Sequence, residues 1–506
     1  MNTRLLFTIL VNLLFLQQVI SQYTLVPDAN FEQVLIDLGI DSEGTLDGQF
    51  LTTDGIGVSD LIINNRNIND LTGIEAFVDL SQLFAHDNEI DSIDLSLFPT
   101  AMVTLSLGNN NLTSIDLTPM NIVLNLGLYA NNFTELDVSN LSNLAVLEIG
   151  SQNIANVNLT NANDLQVLGF SNTAIQNINL SDCSSLRNVY CEGSQIQALD
   201  FSSNQSLEWV EAYSTPLTTI NLPNNPNLEI LDVSNTVLTE LDITNCPGLL
   251  ELYCSDIGLT TLDLAQNVNL EYLQCANNQI INIDFTQNSN LVYIGINNNL
   301  IGPNLELSSN INLTDLHCSN NPIVSLSGLQ NCVNIEIIGC DETLLTEVDL
   351  SQNPNLDIVS FFQSPNLQFA NIKNGNNENI FFIGTQCPEL TCVVVDDPSA
   401  PNTNILIDSH TTLVENTEDC DDLSISENEL QKLFSFYPNP VKDVLFIESN
   451  FSIEIESLQI YSLLGELVMS RQGKTHQIDV SKLRSGVYFL KVSTSRGEFT
   501  KKLLKK

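Results

Sequence analysis

Leu228-Glu229-Ile230-Leu231-Asp232-Val233-Ser234-Asn235-Thr236-Val237-Leu238-Thr239-Glu240-Leu241-Asp242-Ile243 is the stretch that decides the fold. Leu231 and Val233 point one way between polar neighbours, which predicts a half-buried strand. Leu241 and Ile243 alternate again, which predicts a second short strand on the other side of a coil. Nothing in the stretch is long enough for an α-helix. Stepping outward, the apolar start recurs at Val58, Leu80, Met102, Val123, Leu144, Leu165, Leu186, Leu207, Leu228, Leu249, Leu270, Leu291, Leu313, Ile335 and Leu356: 15 starts, each 21 or 22 residues after the last. Three residues after each start stands Leu, Val or Ile without exception. A fixed period of this length is the mark of a solenoid, in which each coil buries its apolar face only against its neighbours. Eight residues after the start the side chain is polar in 14 of the 15 units, as at Asn88, Asn110, Asn278, Asn299 and Asn321. Inside a bend, such a side chain can bond the backbone groups that the curve leaves unpaired. Ile257 breaks the pattern, and the sequence offers no reason for it.

The pattern L-x-x-L-x-L/C-x-x-N-x-L resembles the leucine-rich repeat. It covers residues 58–395, weakening after Leu367. Its second half, "LTELDIT" or "LTTLDLA", is similar to secreted repeats of Bacteroidetes proteins and more distantly to internalins. The resemblance implies a mainly β solenoid of about 15 rungs. Ahead of it, residues 22–57 read as a cap. Phe31, Val34, Leu35 and Leu38 recur at helical spacing and Asp28 suits an N-cap, so a helix is expected over 28–38. The acidic stretch from Asp41 to Gly44 lacks the ligand spacing of an EF-hand.

Residues 1–21 read as a cleaved export signal. Arg4 precedes an apolar run from Leu5 to Phe15, too short to span about 30 Å of hydrocarbon. Small residues precede a cut after Ser21, and no Cys stands there to carry a lipid. No later run approaches the length of a membrane span.

Charge divides the chain. The whole carries −45 from 61 acidic and 16 basic residues. Residues 23–431 hold only Arg66, Arg187 and Lys373 against 54 acids, a net of −51, while residues 432–506 carry +5. A body this acidic lacks the basic footprint that nucleic acid or anionic lipid requires. Its partner should accept acid: a neutral glycan, a basic protein face, or a surface bridged by divalent cations.

The outward positions of the first strand, two, four and six residues after each start, would form the concave sheet. Six of the seven Tyr that precede the tail fall there, Tyr129, Tyr190, Tyr213, Tyr253, Tyr272 and Tyr293, as does the single Trp, Trp209. Phe133, Phe170, Phe201 and Phe285 fall on inward positions. Glu148, Glu192, Glu211, Asp232 and Glu251 sit among the outward aromatics. Aromatics with a polar handle facing out, and Phe facing in, is the sorting a contact surface needs. Tyr is also simply a good exposed strand residue. The expected binding face comprises Tyr190, Trp209, Glu211, Tyr213, Asp232, Glu251, Tyr253, Tyr272 and Tyr293, with a protein or glycan ligand. A second ladder, Asp200, Asp242, Asp263, Asp284 and Asp349, lines the other strand. Stacked carboxylates there could hold Ca²⁺, but Asn158, Asn179 and Asn221 interrupt them, and a solvated row is the plainer reading; no metal site is assigned.

Of 11 Cys, five take the inward position five residues after a start: Cys191, Cys254, Cys275, Cys318 and Cys340. Cys183, Cys246 and Cys332 stand three residues before a start, each eight residues ahead of an inward Cys. Two readings stay open: buried thiols packed as small hydrophobes, or within-rung disulfides Cys183–Cys191, Cys246–Cys254 and Cys332–Cys340 in an oxidising compartment.

Residues 396–432 lose the repeat and read as an acidic linker. Residues 433–506 then show short alternating strands with turns at Gly465 and Gly486, a small antiparallel β-sandwich. Tyr437-Pro438-Asn439-Pro440-Val441-Lys442-Asp443, then Ile460-Tyr461, Gly465, the run IDVSKLRSGVYFLKV through Gly486 and Tyr488, and terminal Lys501, Lys502, Lys505 and Lys506 together resemble the type A C-terminal sorting domain of the type IX secretion system. The resemblance implies export, outer-membrane translocation through the sorting machinery, and removal of the tail. The body would then be released or attached to the cell surface. His86, His317, His410 and His476 are scattered, and no hydrolase, metalloprotease or nucleotide motif is present. The expectation is therefore an exported binding or adhesion protein without catalytic residues or cofactor. A structural coat component, or a carbohydrate-processing accessory or enzyme, stands as the alternative.

Overall fold

The computed structural model describes residues 23–421, 431 and 433–506, except 152, 402, 450–454, 474, 475, 495 and 496. The expected signal at 1–21 and the stretch 422–430 lie outside the described residues. The chain divides into two compact units that meet in sequence at Asn321 and Pro322.

The first unit opens with a cap. Strand Tyr23–Leu25 pairs antiparallel with Gln49–Leu51, and between them a helix runs Ala29–Asp37. Asp28 caps it: Oδ1 accepts the amides of Asn30 (2.8 Å) and Phe31 (3.0 Å). Its second oxygen accepts the amides of Asn69 (2.6 Å) and Asp70 (3.1 Å), so one carboxylate ties the helix to the first coil. Phe31, Val34 and Leu35 are buried as their spacing requires. Glu32 is buried too, at 1% exposure, a burial that the helical spacing did not reveal. Its Oε1 accepts the amides of Asp47 (2.8 Å), Gly48 (2.8 Å) and Gln49 (3.2 Å), which compensates for burying the charge. Glu32→Gln keeps an acceptor but loses the charge, and should destabilise the cap by about 1–2 kcal/mol. Faster hydrogen exchange at Asp47–Gln49 would register it; unchanged exchange would refute it.

Thirteen coils follow in this unit, each contributing one three-residue strand to a parallel sheet that runs from Asp60–Ile62 to Asp315–His317. Strands align start to start, for example Trp209 with Ile230 and Glu211 with Asp232. Parallel register over coils of 21 or 22 residues stacks equivalent positions into lanes. The centre of every strand is apolar and points inward, so the core is a column of Leu, Val and Ile. In the coil of Leu241 and Ile243 the expected second strand does not form a ladder. Asp242 instead accepts the amide (3.0 Å) and hydroxyl (2.6 Å) of Thr244, a local bond that competes with sheet pairing. Two coil pairs do form second-side strands: Glu135–Asp137 with Asn156–Asn158, and Ala198–Asp200 with Thr219–Asn221.

The polar bend position is a hydrogen-bonding ladder. Asn299 Nδ2 donates to the carbonyls of Cys275 and Ile296 (both 3.0 Å), while its Oδ1 accepts the amide of Ile280 (3.0 Å). Each such Asn thus serves its own coil and the one before. That explains Ile257. Thr236 donates to the carbonyl of Val233 (2.9 Å), and Asn278 donates to that of Cys254 (2.9 Å). Asn278 also accepts the amides of Ile257 (3.3 Å) and Leu259 (3.0 Å). The neighbours thus bond the carbonyls of Val233 and Cys254, which a polar residue at 257 would have served, and Ile257 packs in the core at 3% exposure.

A second ladder escaped the sequence reading. Asn204, Asn225, Asn267, Asn288 and Asn310 of this unit are fully buried, three residues before their starts. Asn267 Nδ2 donates to the carbonyls of Ile243 (3.1 Å) and Cys246 (2.8 Å), and Asn204 does the same to Leu180 (3.1 Å) and Cys183 (2.7 Å). Cys183 and Cys246 occupy the equivalent position in their own coils. They are therefore members of an asparagine spine, not partners of the strand cysteines.

In the second unit four coils continue, with sheet strands Ile337–Gly339, Ile358–Ser360, Phe381–Gly384 and Ile405–Ile407. Their other side is a four-stranded parallel sheet of Glu347–Asp349, Phe369–Asn371, Cys392–Val394 and Thr412–Val414. The expected boundary at 395 is corrected by one coil. Ile405–Ile407 pairs with Phe381–Gly384, and Thr412–Val414 pairs with Cys392–Val394. Thr417–Asp421 is a short helix, so residues 396–421 are a structured coil and cap, not linker. A disulfide, Cys392–Cys420, closes it.

The within-rung disulfides are not formed. Cys183, Cys191, Cys246, Cys254, Cys332 and Cys340 are buried thiols. Burial pushes the thiols of Cys183, Cys246 and Cys332 up to about 11, which suppresses the thiolate needed for exchange.

The tail is a β-sandwich. One sheet holds Phe434–Tyr437, Val444–Ser449 and Gln477–Asp479; the other holds Leu467–Gln472, Ile455–Ser462, Gly486–Thr494 and Gly497–Lys505 in that order. Leu445, Ile447, Leu458, Ile460, Leu490 and Phe499 fill the space between them. The basic end is the nine-residue strand Gly497–Lys505.

Candidate recognition face

Parallel register brings the expected residues together in lanes. Four residues after successive starts stand Tyr190, Glu211, Asp232, Tyr253 and Gln274, each directly paired with the next. Two residues after the starts stand Trp209, Ile230, Glu251, Tyr272 and Tyr293. All are half-buried, with side chains outward from the apolar strand centres; Tyr213, at 37%, is more open.

The rings form two groups. Tyr190 and Trp209 lie 6.3 Å apart, tilted by 56°. Tyr253, Tyr272, Tyr293 and His317 form a continuous row at 5.2, 4.1 and 5.3 Å. Sequence reasoning left His317 out. Tyr293 and His317 occupy different lanes, and only the side-chain directions make them meet. Tyr272 and Tyr293 are stacked at 8°, so these two rings cover each other's faces and present edges and hydroxyls. Two outward glycines seat this layer. A Cβ on Gly108 would fall 2.3 Å from the Tyr129 ring, and one on Gly295 would fall 1.8 Å from Gln274 Oε1 and 2.9 Å from the Tyr293 ring.

Carboxylates are threaded between the rings. Trp209 Nε1 donates to Glu211 Oε1 and Tyr253 Oη donates to Glu251 Oε2, each at 2.8 Å. Burial raises the Glu211 carboxyl above its ordinary value, and the charges of Glu192 and Asp232 add to the shift. Burial likewise raises Asp232. Burial pushes the Tyr293 phenol up to about 12 and holds the His317 imidazole below its usual value.

The Asp row on the other side is explained locally. Asp200, Asp242, Asp263, Asp284 and Asp349 each accept the amide two residues on, at 2.8–3.0 Å. Hydrogen bonds from Ser202, Thr244 and Thr286 hold the carboxyls of Asp200, Asp242 and Asp284 below the usual range. Among the described residues no three His, Cys, Asp or Glu side chains converge as metal ligands would. A polar groove of about 610 Å³ also lies on that side, lined by Asp116, Glu135, Asp137 and Asn158. It contains none of the concave-face residues.

In the tail, the expected sorting residues are structural contacts. Asn439 Nδ2 donates to the carbonyl of Lys502 (3.0 Å) and its Oδ1 accepts the amide of Leu504 (2.9 Å), pinning the last strand. Val441 between Pro440 and Asp443 bridges to Lys505, and the Asp443 carbonyl accepts the Val480 amide (2.8 Å). Pro438 and Pro440 both follow cis peptide bonds. The Tyr437 hydroxyl bonds Glu448, Tyr461 Oη donates to Gln459 (2.8 Å), and Tyr488 Oη donates to the Arg484 carbonyl (3.0 Å). Gly465 takes a positive φ of 79° in the turn after Ser462, and Gly486 opens the strand that pairs with Lys501, Lys502 and Lys505.

Residues 435–506 match the family described as the secretion system C-terminal sorting domain. The chain has the leucine-rich repeat fold and ends in a type IX sorting tail. That tail sorts the chain to the cell surface or the medium. Among the described residues no helix is long and apolar enough to cross a membrane. No curated protein matches the chain. Among solved structures, the functional domain of InlJ from Listeria monocytogenes, described as including a cysteine ladder, is similar over 96% of this chain and 99% of its own, at 20% identity and a TM-score of 0.61. A leucine-rich repeat protein of Leptospira interrogans is similar over 68% of this chain and 97% of its own, at 18% identity and a TM-score of 0.52. YopM from Yersinia enterocolitica follows at 20% identity over 66% and 68%, with a TM-score of 0.50. At these identities the likeness establishes the fold alone.

Proposed function

We propose that this exported protein is a binding or adhesion module whose concave face recognises a protein or glycan ligand outside the cell. The supporting observation is the aromatic–acidic layer on the coils starting at 186 to 291, with Trp209, Tyr190, Tyr213, Tyr253, Tyr272 and Tyr293 outward while every strand centre is apolar and inward. Tyr and Trp give contact area at low entropic cost, and anchors of this kind dominate interface energetics. The carboxylates lie on a broad sheet face between rings, not in a deep pocket, which favours recognition over hydrolysis as the role of this face.

Trp209→Ala with Tyr253→Ala removes one anchor from each aromatic group. Binding of the protein to the ligand captured by a glycan and protein array should fall at least tenfold, with the fold unchanged by circular dichroism. Full retention of binding would place recognition elsewhere on the molecule.

A further inference from the structure

The concave face sets two carboxylates side by side, although one of them, Asp232, also accepts the Ser234 amide (2.9 Å). Glu211 and Asp232 are direct neighbours across two strands. Like charges opposite each other in a sheet repel, and burial adds to the cost. The Glu192 charge acts on Glu211, and its Oε2 is buried without a hydrogen-bond partner. Gln274 Oε1, the next position past Tyr253 in the same lane, is likewise buried and unpartnered. Unpartnered buried acceptors recur in this fold on the Oδ1 atoms of the asparagine spine, but these two lie on the outward face beside the acid pair, where a ligand's donor can reach them.

The body has no cation to supply one. Arg66 pairs with Asp37 at 3.3 Å, Arg187 with Glu208, and Lys373 with Glu415 at 3.8 Å. These are all the basic residues between 23 and 431. So the lane reads aromatic, acid, acid, aromatic, amide, with hydrogen-bond acceptors in excess and the one Trp at its side. Departures from local consistency of this sort are expected where a sequence serves a ligand.

We propose that the lane Tyr190–Glu211–Asp232–Tyr253 receives arginine side chains from an extended basic segment of a protein partner. A guanidinium is planar, offers five donors, grips carboxylates in a bidentate fork and packs on aromatic faces. It therefore matches each class of group in the lane at once. A neutral sugar would leave the acid pair uncompensated. The charge of −51 on residues 23–431 would steer such a segment to the face from a distance. The inference rests on the concave-face reading and names its ligand chemistry.

Trp209 is the only Trp in the chain, so its fluorescence reports this site in the full-length protein. The probes are decapeptides alternating Gly with Arg, with Lys, or with citrulline, the uncharged isostere of Arg. The Arg peptide should give a saturable change, the Lys peptide a several-fold weaker one, and the citrulline peptide none. Glu211→Gln with Asp232→Asn should weaken the Arg peptide at least tenfold while raising the Tm of the free protein, because an unfavourable pair is removed. Asp242→Asn with Asp263→Asn removes the same net charge from the other side and should leave affinity unchanged. Equal binding of the Arg and citrulline peptides, or equal loss in both double variants, would overturn the proposal. If Trp209 responds to a neutral oligosaccharide and not to the Arg peptide, the arginine inference falls and the concave-face reading stands. If Trp209→Ala with Tyr253→Ala leaves all capture intact, the concave-face reading itself falls.

Discussion

Asn278→Ala lowers the unfolding free energy by about 3–5 kcal/mol, while the same change one coil later, Asn299→Ala, costs about 1–2 kcal/mol. The two residues hold equivalent positions and are buried alike, at 8% and 5% exposure. The difference lies in who else serves their partners. Asn299 donates to the carbonyls of Cys275, Ile296 and Asn297. Those three are also reached by Asn278, by Asn321 and by the Asn277 amide, at 2.9–3.0 Å. Only the Ile280 amide is orphaned when Asn299 is truncated. Around Asn278 the cover is missing, because the preceding coil has Ile257 where a polar residue would stand. Truncation leaves the amides of Ile257 and Leu259 and the carbonyl of Cys254 buried without partners. An unsatisfied buried backbone group costs about 1–3 kcal/mol, so three against one sets the contrast. Denaturant titration of both variants measures it, and hydrogen exchange at Ile257 and Leu259 locates it, since solenoid coils open locally. Equal losses in the two variants would show that the ladder does not act through these bonds.

The legible part of this molecule is what repeats. Fifteen starts at a constant period oblige parallel register, and register alone fixes which side chains share a lane. The core, the polar bend ladder and the concave lanes follow from that. What escaped depends on side-chain direction or on contact beyond the repeat. The asparagine spine was visible in principle. Asn204, Asn225, Asn267 and Asn288 align with Cys183 and Cys246, and a column shared by Asn and Cys is better explained by a backbone-bonding niche than by disulfide pairs. His317 joins the Tyr293 ring across lanes, a meeting that no spacing rule states. The acid pair of Glu211 and Asp232 was legible as neighbours. Its cost was not, because the burial of the carboxylates depends on side-chain packing that spacing does not state. The last coil was hidden because its strands, Ile405–Ile407 and Thr412–Val414, are linked by segments whose lengths depart from the period.

Reduction of Cys392–Cys420 should destabilise the end of the repeat by about 3.5 kcal/mol, from the loss of chain constraint on a loop of 28 residues. The terminal coil has few other means of holding itself. Its inner cluster is small, Cys392, Val394 and Val414 with Phe369 and Cys420 against it. Among the described residues the last strand, Thr412–Val414, has a neighbour on one side only, so its outer edge would fray or recruit foreign strands if the short helix at Thr417–Asp421 detached. The bond fastens that helix to the preceding strand at Cys392. An end cap is a general requirement of solenoids, and here a covalent one suits a chain sent to an oxidising exterior. The nine remaining thiols are all buried, so a mild reductant should expose two new thiols in the native protein. The expected readout is a lower unfolding midpoint and rapid proteolysis within 396–421 after reduction. In Cys392→Ser with Cys420→Ser the same midpoint should appear without reductant and should not shift further when reductant is added. A wild-type midpoint that stays fixed after two thiols have been titrated would mean that packing, not the disulfide, closes the coil.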